Sequence, residues 1–205
     1  MKPAKNTNKV KNIIESLKES TYFQQAFTHS SYCNEEKLAI SYEVLEFLGD
    51  SVLNFYTTLF IYRTFPHYSE GEMSKTKQLM VQESTLANLS REIGLNRTDE
   101  NGKLEYLKLG VGEQKSGGAN KDRILADVFE SFLAALYLEK GGKKVVRFLE
   151  LTLFKWIQGK IGLTWDYKTQ LQEYCQAQKN RVIYRSRKIT NSKRQQLFVA
   201  EVSDK

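Results

Sequence analysis

Proline is almost absent from this chain, and its absence limits what the backbone can fold into. The 205 residues contain only Pro3 and Pro66, so helices can run almost without interruption over the first 160 positions. Apolar residues recur at helical spacing in five stretches, which predicts an all-α region. The predicted helices cover residues 10–17, 42–62, 75–93, 121–140 and 143–157.

Turn-forming residues separate the predicted helices, at positions 66–71, 101–102, 117–118 and 141–142. Gly141 fits a helix C-cap, because glycine readily adopts the left-handed backbone that ends a helix. Near Trp165 the pattern changes. Residues 166–179 predict one helix with Asp166 as its N-cap, and residues 182–189 and 196–202 are rich in β-formers. We therefore expect a helical domain over 1–160 and an incomplete α+β domain over 161–205.

Charge is unevenly distributed along the chain. The formal net charge is +7, and residues 166–205 carry nine basic and four acidic side chains, against 22 and 20 in the residues before them. A polyanionic partner is expected for the C-terminal segment, and nucleic acid is the commonest one. A basic tail that serves only solubility would have the same composition.

Two further features of composition bear on the cellular setting. Cys33 and Cys175 are too few and too distant for a disulfide framework or a zinc site, which favours a reduced, cytoplasmic setting. No uninterrupted apolar run approaches the roughly 20 residues that span a bilayer, so we expect no membrane partner.

An apolar stretch, YEVLEFLGDSVLNFY at residues 42–56, carries Glu43, Glu46 and Asp50. Their spacing puts three carboxylates on one stripe of a helix that is otherwise suited to burial. A buried ionised carboxylate requires a basic partner, a proton or a bound cation. Alternatively, the stripe faces solvent.

A second apolar stretch, DRILADVFESFLAALYLEKGG, has Asp127 and Glu130 three residues apart on one face. Two acidic stripes on buried helices could converge on one cation, which would relieve their mutual repulsion. Hard oxygen ligands favour Mg²⁺ or Mn²⁺. Neither histidine follows a glutamate at the spacing of a di-iron site. His29 could act as a general base, although a lone histidine more often has a structural role.

Magnesium on a carboxylate cluster, together with a basic segment, favours hydrolysis of a phosphodiester. The residues also match a known family. YEVLEFLGDSVL resembles the ribonuclease III signature E-x-L-E-F-L-G-D-S, with every specified residue in place. Residues 65–87 and 112–142 resemble the family's intervening segment and second acidic block. Residues 166–176 are similar to the start of its double-stranded-RNA-binding domain.

The resemblance implies an all-α endonuclease domain that uses Mg²⁺, with Mn²⁺ as a substitute, to cut double-stranded RNA into products with 5′-phosphates and short 3′ overhangs. It also implies that these enzymes process ribosomal RNA precursors and other structured RNAs as homodimers. Helix 42–56 of each subunit is expected to face the other subunit, with part of its apolar surface, Phe47 foremost, in the interface. The resemblance also implies roles for single residues. Glu46, Asp127 and Glu130 match metal ligands, and Asp50 and Glu130 match catalytic positions. Glu43 and Glu70 match auxiliary acids, and the helix face that reads RNA is matched by Thr169, Gln172, Glu173 and Gln176.

The chain departs from the family pattern in two places. Ser131 and Phe132 stand where other residues are common, which we expect to change local packing only. The RNA-binding module lacks a third strand and a closing basic helix before Lys205, so we expect a truncated module that is mobile or held by a neighbouring molecule. Two alternatives remain open: a catalytically silent relative that binds structured RNA, and a helical scaffold with solvated acidic faces.

Overall fold

In the part of the chain that the structure describes, helices follow one another up to residue 164, and two strands come after them. The structure is a computed structural model that describes residues 5–37, 39–164, 182–190 and 196–204. The helices are α1 (Lys5–Glu15), α2 (Thr21–Ala26), α3 (Ser30–Glu35), α4 (Glu43–Thr64), α5 (Glu70–Val81), α6 (Glu83–Ile93), α7 (Val111–Lys115), α8 (Asp122–Lys140), α9 (Gly142–Leu151) and α10 (Leu153–Thr164), with a 3₁₀ turn at Gly118–Asn120 before α8.

The chain divides into two compact units, Met1–Trp156 and Ile157–Lys205, with the division inside α10. In the second unit, β1 (Val182–Thr190) and β2 (Gln196–Asp204) pair antiparallel, and their register runs from Val182 opposite Asp204 to Thr190 opposite Gln196. The expected all-α fold of the first domain is confirmed, and the two β-rich stretches form strands. The helix expected at 166–179, with its cap Asp166, lies outside the described residues.

Two of the predicted helices are each divided in two. The helix expected over 75–93 breaks at Gln82, whose backbone is extended at φ −65° and ψ 147°. Its first half begins earlier than expected, because Ser69 and Glu72 form a capping box that stabilises the start of α5. The helix expected over 143–157 breaks at Thr152, with φ −120° and ψ −96°. Neither break carries a glycine or a proline, so no turn-forming residue marks it in the sequence, and the helical spacing of apolar residues continues across it.

The core of the first unit forms around α8. Its apolar side chains are buried from Ile124 to Leu136, and it packs against α2, α4, α6 and α9. Phe132 is fully buried and contacts the rings of Phe23, Phe27 and Phe148. Buried Ser131 donates a 2.8 Å hydrogen bond to the carbonyl of Ala26 in α2. The two residues that depart from the family pattern therefore both contribute to packing around α8.

Helix α4 presents two different apolar faces. Leu45, Val52 and Leu53 are buried, whereas Phe47 is 79% exposed and Phe55 61% exposed. Part of the apolar surface of this helix, Phe47 foremost, therefore lies outside the core of its own subunit. Of the helices that the structure describes, α4 alone has the length and apolar composition of a membrane span. Its packing on α8 accounts for the buried part of that apolar surface.

Helices α4 and α8 lie in close contact at Gly49. A Cβ atom at this position would overlap the backbone carbonyl of Glu130. Any larger residue at position 49 must therefore push the two helices apart. Since Asp50 and Glu130 lie at this contact, the absence of a side chain at Gly49 sets how closely their carboxylates approach.

We expect Gly49→Ala to lower the free energy of unfolding by about 3 kcal/mol, because the added methyl group meets backbone that cannot rotate away. Urea denaturation followed by circular dichroism measures the change. Gly71→Ala is the matched control, since Gly71 is also helical and has nothing within 4 Å of the added methyl group. The control should be neutral or slightly stabilising. Equal effects of the two substitutions would contradict the close approach.

Candidate functional site

Four of the predicted acidic residues meet where α4 and α8 cross. Glu46 and Asp50 come from α4, one turn apart, and Asp127 and Glu130 from α8. Glu130 experiences the negative charges of the other three. Glu46, Asp127 and Glu130 are half-buried, and Asp50 is exposed. The structure thus brings together the two acidic stripes that lie about 80 residues apart in the sequence.

Three acids of this cluster, Glu46, Asp127 and Glu130, hold protons more strongly than isolated carboxyls do. Burial, followed by the charges of Asp50, Glu46 and Asp127, raises the pKa of Glu130 to about 8. Burial and the charge of Asp127 raise the pKa of Glu46. Burial also raises the pKa of Asp127, although hydrogen bonding from Tyr42 opposes that shift. At neutral pH the cluster therefore favours either a retained proton or a bound cation.

Hydrogen bonds fix two of these carboxylates. Tyr42 donates from its hydroxyl to Oδ2 of Asp127 at 3.2 Å, and burial together with the charge of Asp127 raises the pKa of Tyr42. Asn54 donates from Nδ2 to Oδ1 of Asp50 at 2.6 Å. Glu46 lies in the first turn of α4, where the partial positive charge of the helix end stabilises a carboxylate.

A polar cleft of about 290 Å³ opens beside Glu46 and Asp127. Arg123 lines it and is exposed, and its positive charge opposes the rise in the pKa of Glu46 and of Asp127. Lys121 also lines the cleft and forms a 2.7 Å ion pair with Glu113. The cleft therefore combines carboxylates with two cationic side chains, and the cationic side chains are suited to a phosphate-bearing ligand.

The two auxiliary acids occupy different places. Glu43 is exposed, lines the polar cleft, and contributes to the raised pKa of Glu46. Glu70 lies in the first turn of α5 and lines a separate, mainly apolar groove of about 420 Å³ with residues that include Ile61 and Tyr62. The predicted RNA-reading residues Thr169, Gln172, Glu173 and Gln176 lie outside the described residues.

His29 has a structural role in this site. Its Nδ1 accepts the backbone N–H of Ser31 at 3.0 Å, which caps the N-terminus of α3. Its ring also packs edge-on against the ring of Tyr42, with centroids 5.6 Å apart. Sequence reasoning missed Tyr42 and Arg123. The signal for Arg123 was its position one helical turn before Asp127, whereas nothing in the sequence pairs Tyr42 with a residue 85 positions later.

The donor atoms of the cluster suit a hard divalent cation. They are all carboxylate oxygens, the ligands that Mg²⁺ and Mn²⁺ prefer. Burial, and then the charges of neighbouring acids, raises the pKa of Glu46 and of Glu130, and a cation would offset those charges. Among the described residues, no three His, Cys, Asp or Glu side chains are already gathered into a metal-binding group. The cluster thus has suitable chemistry and charge for the ion, and ion binding would draw the carboxylates closer.

Comparisons with known proteins were made on the sequence and on the fold. Residues 19–157 match the family model described as Ribonuclease-III-like. The chain is 43% identical over 170 residues to ribonuclease 3 of Streptococcus uberis, covering 82% of this chain and 70% of that protein. It is 41% identical over 180 residues to ribonuclease 3 of Listeria innocua, covering 82% and 75%.

Solved structures agree with the sequence comparisons. The nuclease domain of ribonuclease III from Campylobacter jejuni matches with a TM-score of 0.59 and 28% identity, covering 72% of this chain and 94% of that one. Another structure of that nuclease domain is described as flexible in a region involved in dimer formation. Dicer from Pichia stipitis matches with a TM-score of 0.53 and 26% identity, covering 91% and 81%.

The raised pKa of Glu130 predicts how stability depends on pH when metal is chelated. The folded protein retains a proton on Glu130 up to about pH 8, whereas the unfolded chain loses it near the ordinary value of 4.5. The wild type therefore loses stability as pH rises through this window. Glu130→Gln removes that loss. Its free energy of unfolding should differ little from that of wild type at pH 4.5 and exceed it by about 2 kcal/mol at pH 8, after discounting for partial solvent screening.

Urea denaturation in EDTA at pH 4.5, 6 and 8 measures this difference. Glu92→Gln, on the exposed face of α6, is the control and should follow the pH dependence of the wild type. A Glu130→Gln variant that is less stable than wild type at pH 8 would show that the carboxyl is not held in a repulsive, half-buried setting.

Proposed function

This chain belongs to the ribonuclease III family and is an endoribonuclease of double-stranded RNA, and we propose that it hydrolyses its substrate with Mg²⁺, leaving 5′-phosphates and short 3′ overhangs. The observation that carries the metal requirement is the convergence of four carboxylates where α4 and α8 cross. Such a cluster is stable at neutral pH only with a proton or a cation to offset its charge. We propose ribosomal RNA precursors and other structured RNAs as substrates, and the cytoplasm as the compartment.

In this proposal, Glu46, Asp127 and Glu130 hold the metal ion, with Mn²⁺ able to replace Mg²⁺. When bound, the ion lowers the pKa of a water molecule and offsets charge on the phosphoryl group. Asp50 and Glu130 are the catalytic acids. Asp50 is exposed, with one oxygen held by Asn54, so its other oxygen is accessible to accept a proton from the attacking water.

Arg123 and Lys121 are proposed to bind the RNA backbone in the polar cleft. Arg123 is the better candidate because it is exposed, whereas Lys121 is paired with Glu113. A guanidinium can hold a phosphate by two parallel hydrogen bonds. The cleft would then position a phosphodiester beside Glu46 and Asp127. Glu43 is proposed as an auxiliary acid at the margin of this cleft, and Glu70 as one outside it.

The C-terminal segment is proposed to bind the RNA duplex. Residues 166–205 carry nine basic and four acidic side chains, which favours contact with phosphates. Thr169, Gln172, Glu173 and Gln176 are proposed to read the minor groove, where the 2′-hydroxyls of A-form RNA are accessible. We retain 1–160 and 161–205 as the proposed bounds of the endonuclease domain and of an RNA-binding domain.

We propose that the protein acts as a homodimer through the exposed face of α4. Val44, Phe47, Phe55 and Tyr62 lie on this face at spacings of three, eight and seven residues, and each is more than 60% exposed. Large exposed apolar side chains in one row are typical of a protein interface. The sequence expectation that residues 42–56 contact a partner is kept here, with the face extended to Tyr62.

Cleavage of a labelled RNA duplex tests the proposed chemistry. The wild type should cut the duplex in Mg²⁺ and bind it without cutting in Ca²⁺. Glu130→Gln should bind the duplex but lower the cleavage rate by about 100-fold or more, because it removes a proposed metal ligand. Glu92→Gln is the control and should cut like wild type. A single strand of the same sequence should be cut poorly.

The possible outcomes separate the rival functions. If the wild type binds the duplex and never cuts it, the catalytically silent RNA-binding alternative is correct. If the single strand is cut as fast as the duplex, the assigned substrate is wrong. Cleavage that persists in EDTA would contradict the metal requirement.

Sedimentation equilibrium tests the proposed dimer. Phe47→Glu should weaken self-association by about 100-fold, because it places a charge at the most exposed side chain of the apolar face. Leu138→Glu is the control and should associate like wild type, because Leu138 is also exposed, at 43%, but lies near the end of α8 and not on the apolar face of α4. Circular dichroism should show both variants folded. A wild type that stays monomeric, or a Phe47→Glu dimer of unchanged affinity, would contradict the proposal.

A further inference from the structure

Tyr42 contacts both halves of the acidic cluster. Its carbonyl oxygen accepts the backbone N–H of Glu46 at 2.8 Å, the first hydrogen bond of α4. Its hydroxyl donates to Oδ2 of Asp127 on α8 at 3.2 Å. We propose that Tyr42 is a positioning residue that sets the Asp127 carboxylate relative to Glu46, so that the two can share one divalent cation. This proposal rests on the metal dependence proposed above.

Tyr42 is held firmly enough for this role. Its side chain is only 2% exposed, and the His29 ring packs against one edge of it. Its own N–H donates to the carbonyl of Thr28 at 2.9 Å, and the Thr28 hydroxyl donates in turn to the carbonyl of Gln24 at 2.7 Å. The hydroxyl of Tyr42 is therefore fixed by the chain before α4, and not only by α4 itself.

Asp127 needs such a partner because it is half-buried beside other acidic side chains. The charges of Glu46 and Glu130 act on the same cluster, and Glu83 adds a further negative charge near Asp127. A carboxylate in this setting would turn away from its neighbours if no hydrogen bond held it. The neighbouring cation, Arg123, is on an exposed side chain and gives a less directional restraint.

A neutral donor suits this position better than a charged one. A lysine or arginine in place of Tyr42 would neutralise Asp127 and so compete with a metal ion for it. The tyrosine hydroxyl orients one carboxylate oxygen and leaves the negative charge in place. Hydrogen bonds to ligating carboxylates typically affect metal affinity by about 10-fold or more when they are removed.

Tyr42→Phe tests the proposal, because it removes the hydroxyl and keeps the buried ring. Mn²⁺ titrated into the full chain by calorimetry, without RNA, should show about a 10-fold weaker affinity than for wild type. The Mg²⁺ concentration for half-maximal cleavage should rise by a similar factor. The cleavage rate at saturating Mg²⁺ should stay within about 2-fold of wild type, because excess ion restores the geometry.

Tyr106→Phe is the matched control. Tyr106 is also buried and its hydroxyl donates to a carboxylate, that of Glu15, away from the acidic cluster. Both variants should lose some thermal stability, but Tyr106→Phe should keep the metal affinity of wild type. Equal Mn²⁺ affinities for wild type and Tyr42→Phe would overturn the proposal. An equal loss of Mn²⁺ affinity in Tyr42→Phe and Tyr106→Phe would overturn it as well.

The calorimetric measurement separates this proposal from the proposed function. A wild type that binds Mn²⁺ but does not cut duplex RNA would contradict the proposed function, and the Mn²⁺ affinities of wild type and Tyr42→Phe would still decide the role of Tyr42. A wild type that cuts RNA in Mg²⁺, with Tyr42→Phe unchanged in Mn²⁺ affinity and Mg²⁺ dependence, would overturn the positioning role alone.

Discussion

Helices α4 and α8 are in close contact at Gly49, and the geometry of the acidic cluster depends on this contact. Because position 49 has no side chain, the backbone of α4 rests directly on the carbonyl of Glu130. Burial of Leu45, Leu53 and the apolar side chains of α8 stabilises this crossing. The same contact forces carboxylates from both helices together, where burial and mutual repulsion raise the pKa of Glu130 to about 8. The energy of packing thus holds an arrangement of charges that would not form by itself.

An unfavourable cluster of charges persists in a folded protein when the surrounding structure compensates for it. Here the compensation has three local sources: the N-terminus of α4 near Glu46, the nearby charge of Arg123, and the hydroxyl of Tyr42 on Asp127. None of them fully neutralises the cluster. A divalent cation would complete the compensation, which is the physical basis for linking this site to phosphodiester hydrolysis.

The sequence predicted the parts of the fold and site that depend on spacing within one helix. The i, i+4 spacing of Glu46 and Asp50 and the i, i+3 spacing of Asp127 and Glu130 placed each pair on one face, and α4 and α8 match their expected bounds within two residues. It could not show which apolar side chains of α4 are buried, because Leu45 and Phe47 differ only in what packs against them. The breaks at Gln82 and Thr152 and the contact between Tyr42 and Asp127 are likewise set by tertiary structure.

Locating a bound ion would test directly whether the acidic cluster holds a metal. Crystals of the wild-type chain soaked in Mn²⁺, with diffraction measured near the manganese absorption edge, would give an anomalous difference map that shows the metal without reference to activity. We expect a strong peak among the carboxylates of Glu46, Asp127 and Glu130, and its loss in Glu130→Gln. Well-ordered crystals with no peak between α4 and α8, or with the strongest peak at another group of acids, would contradict it.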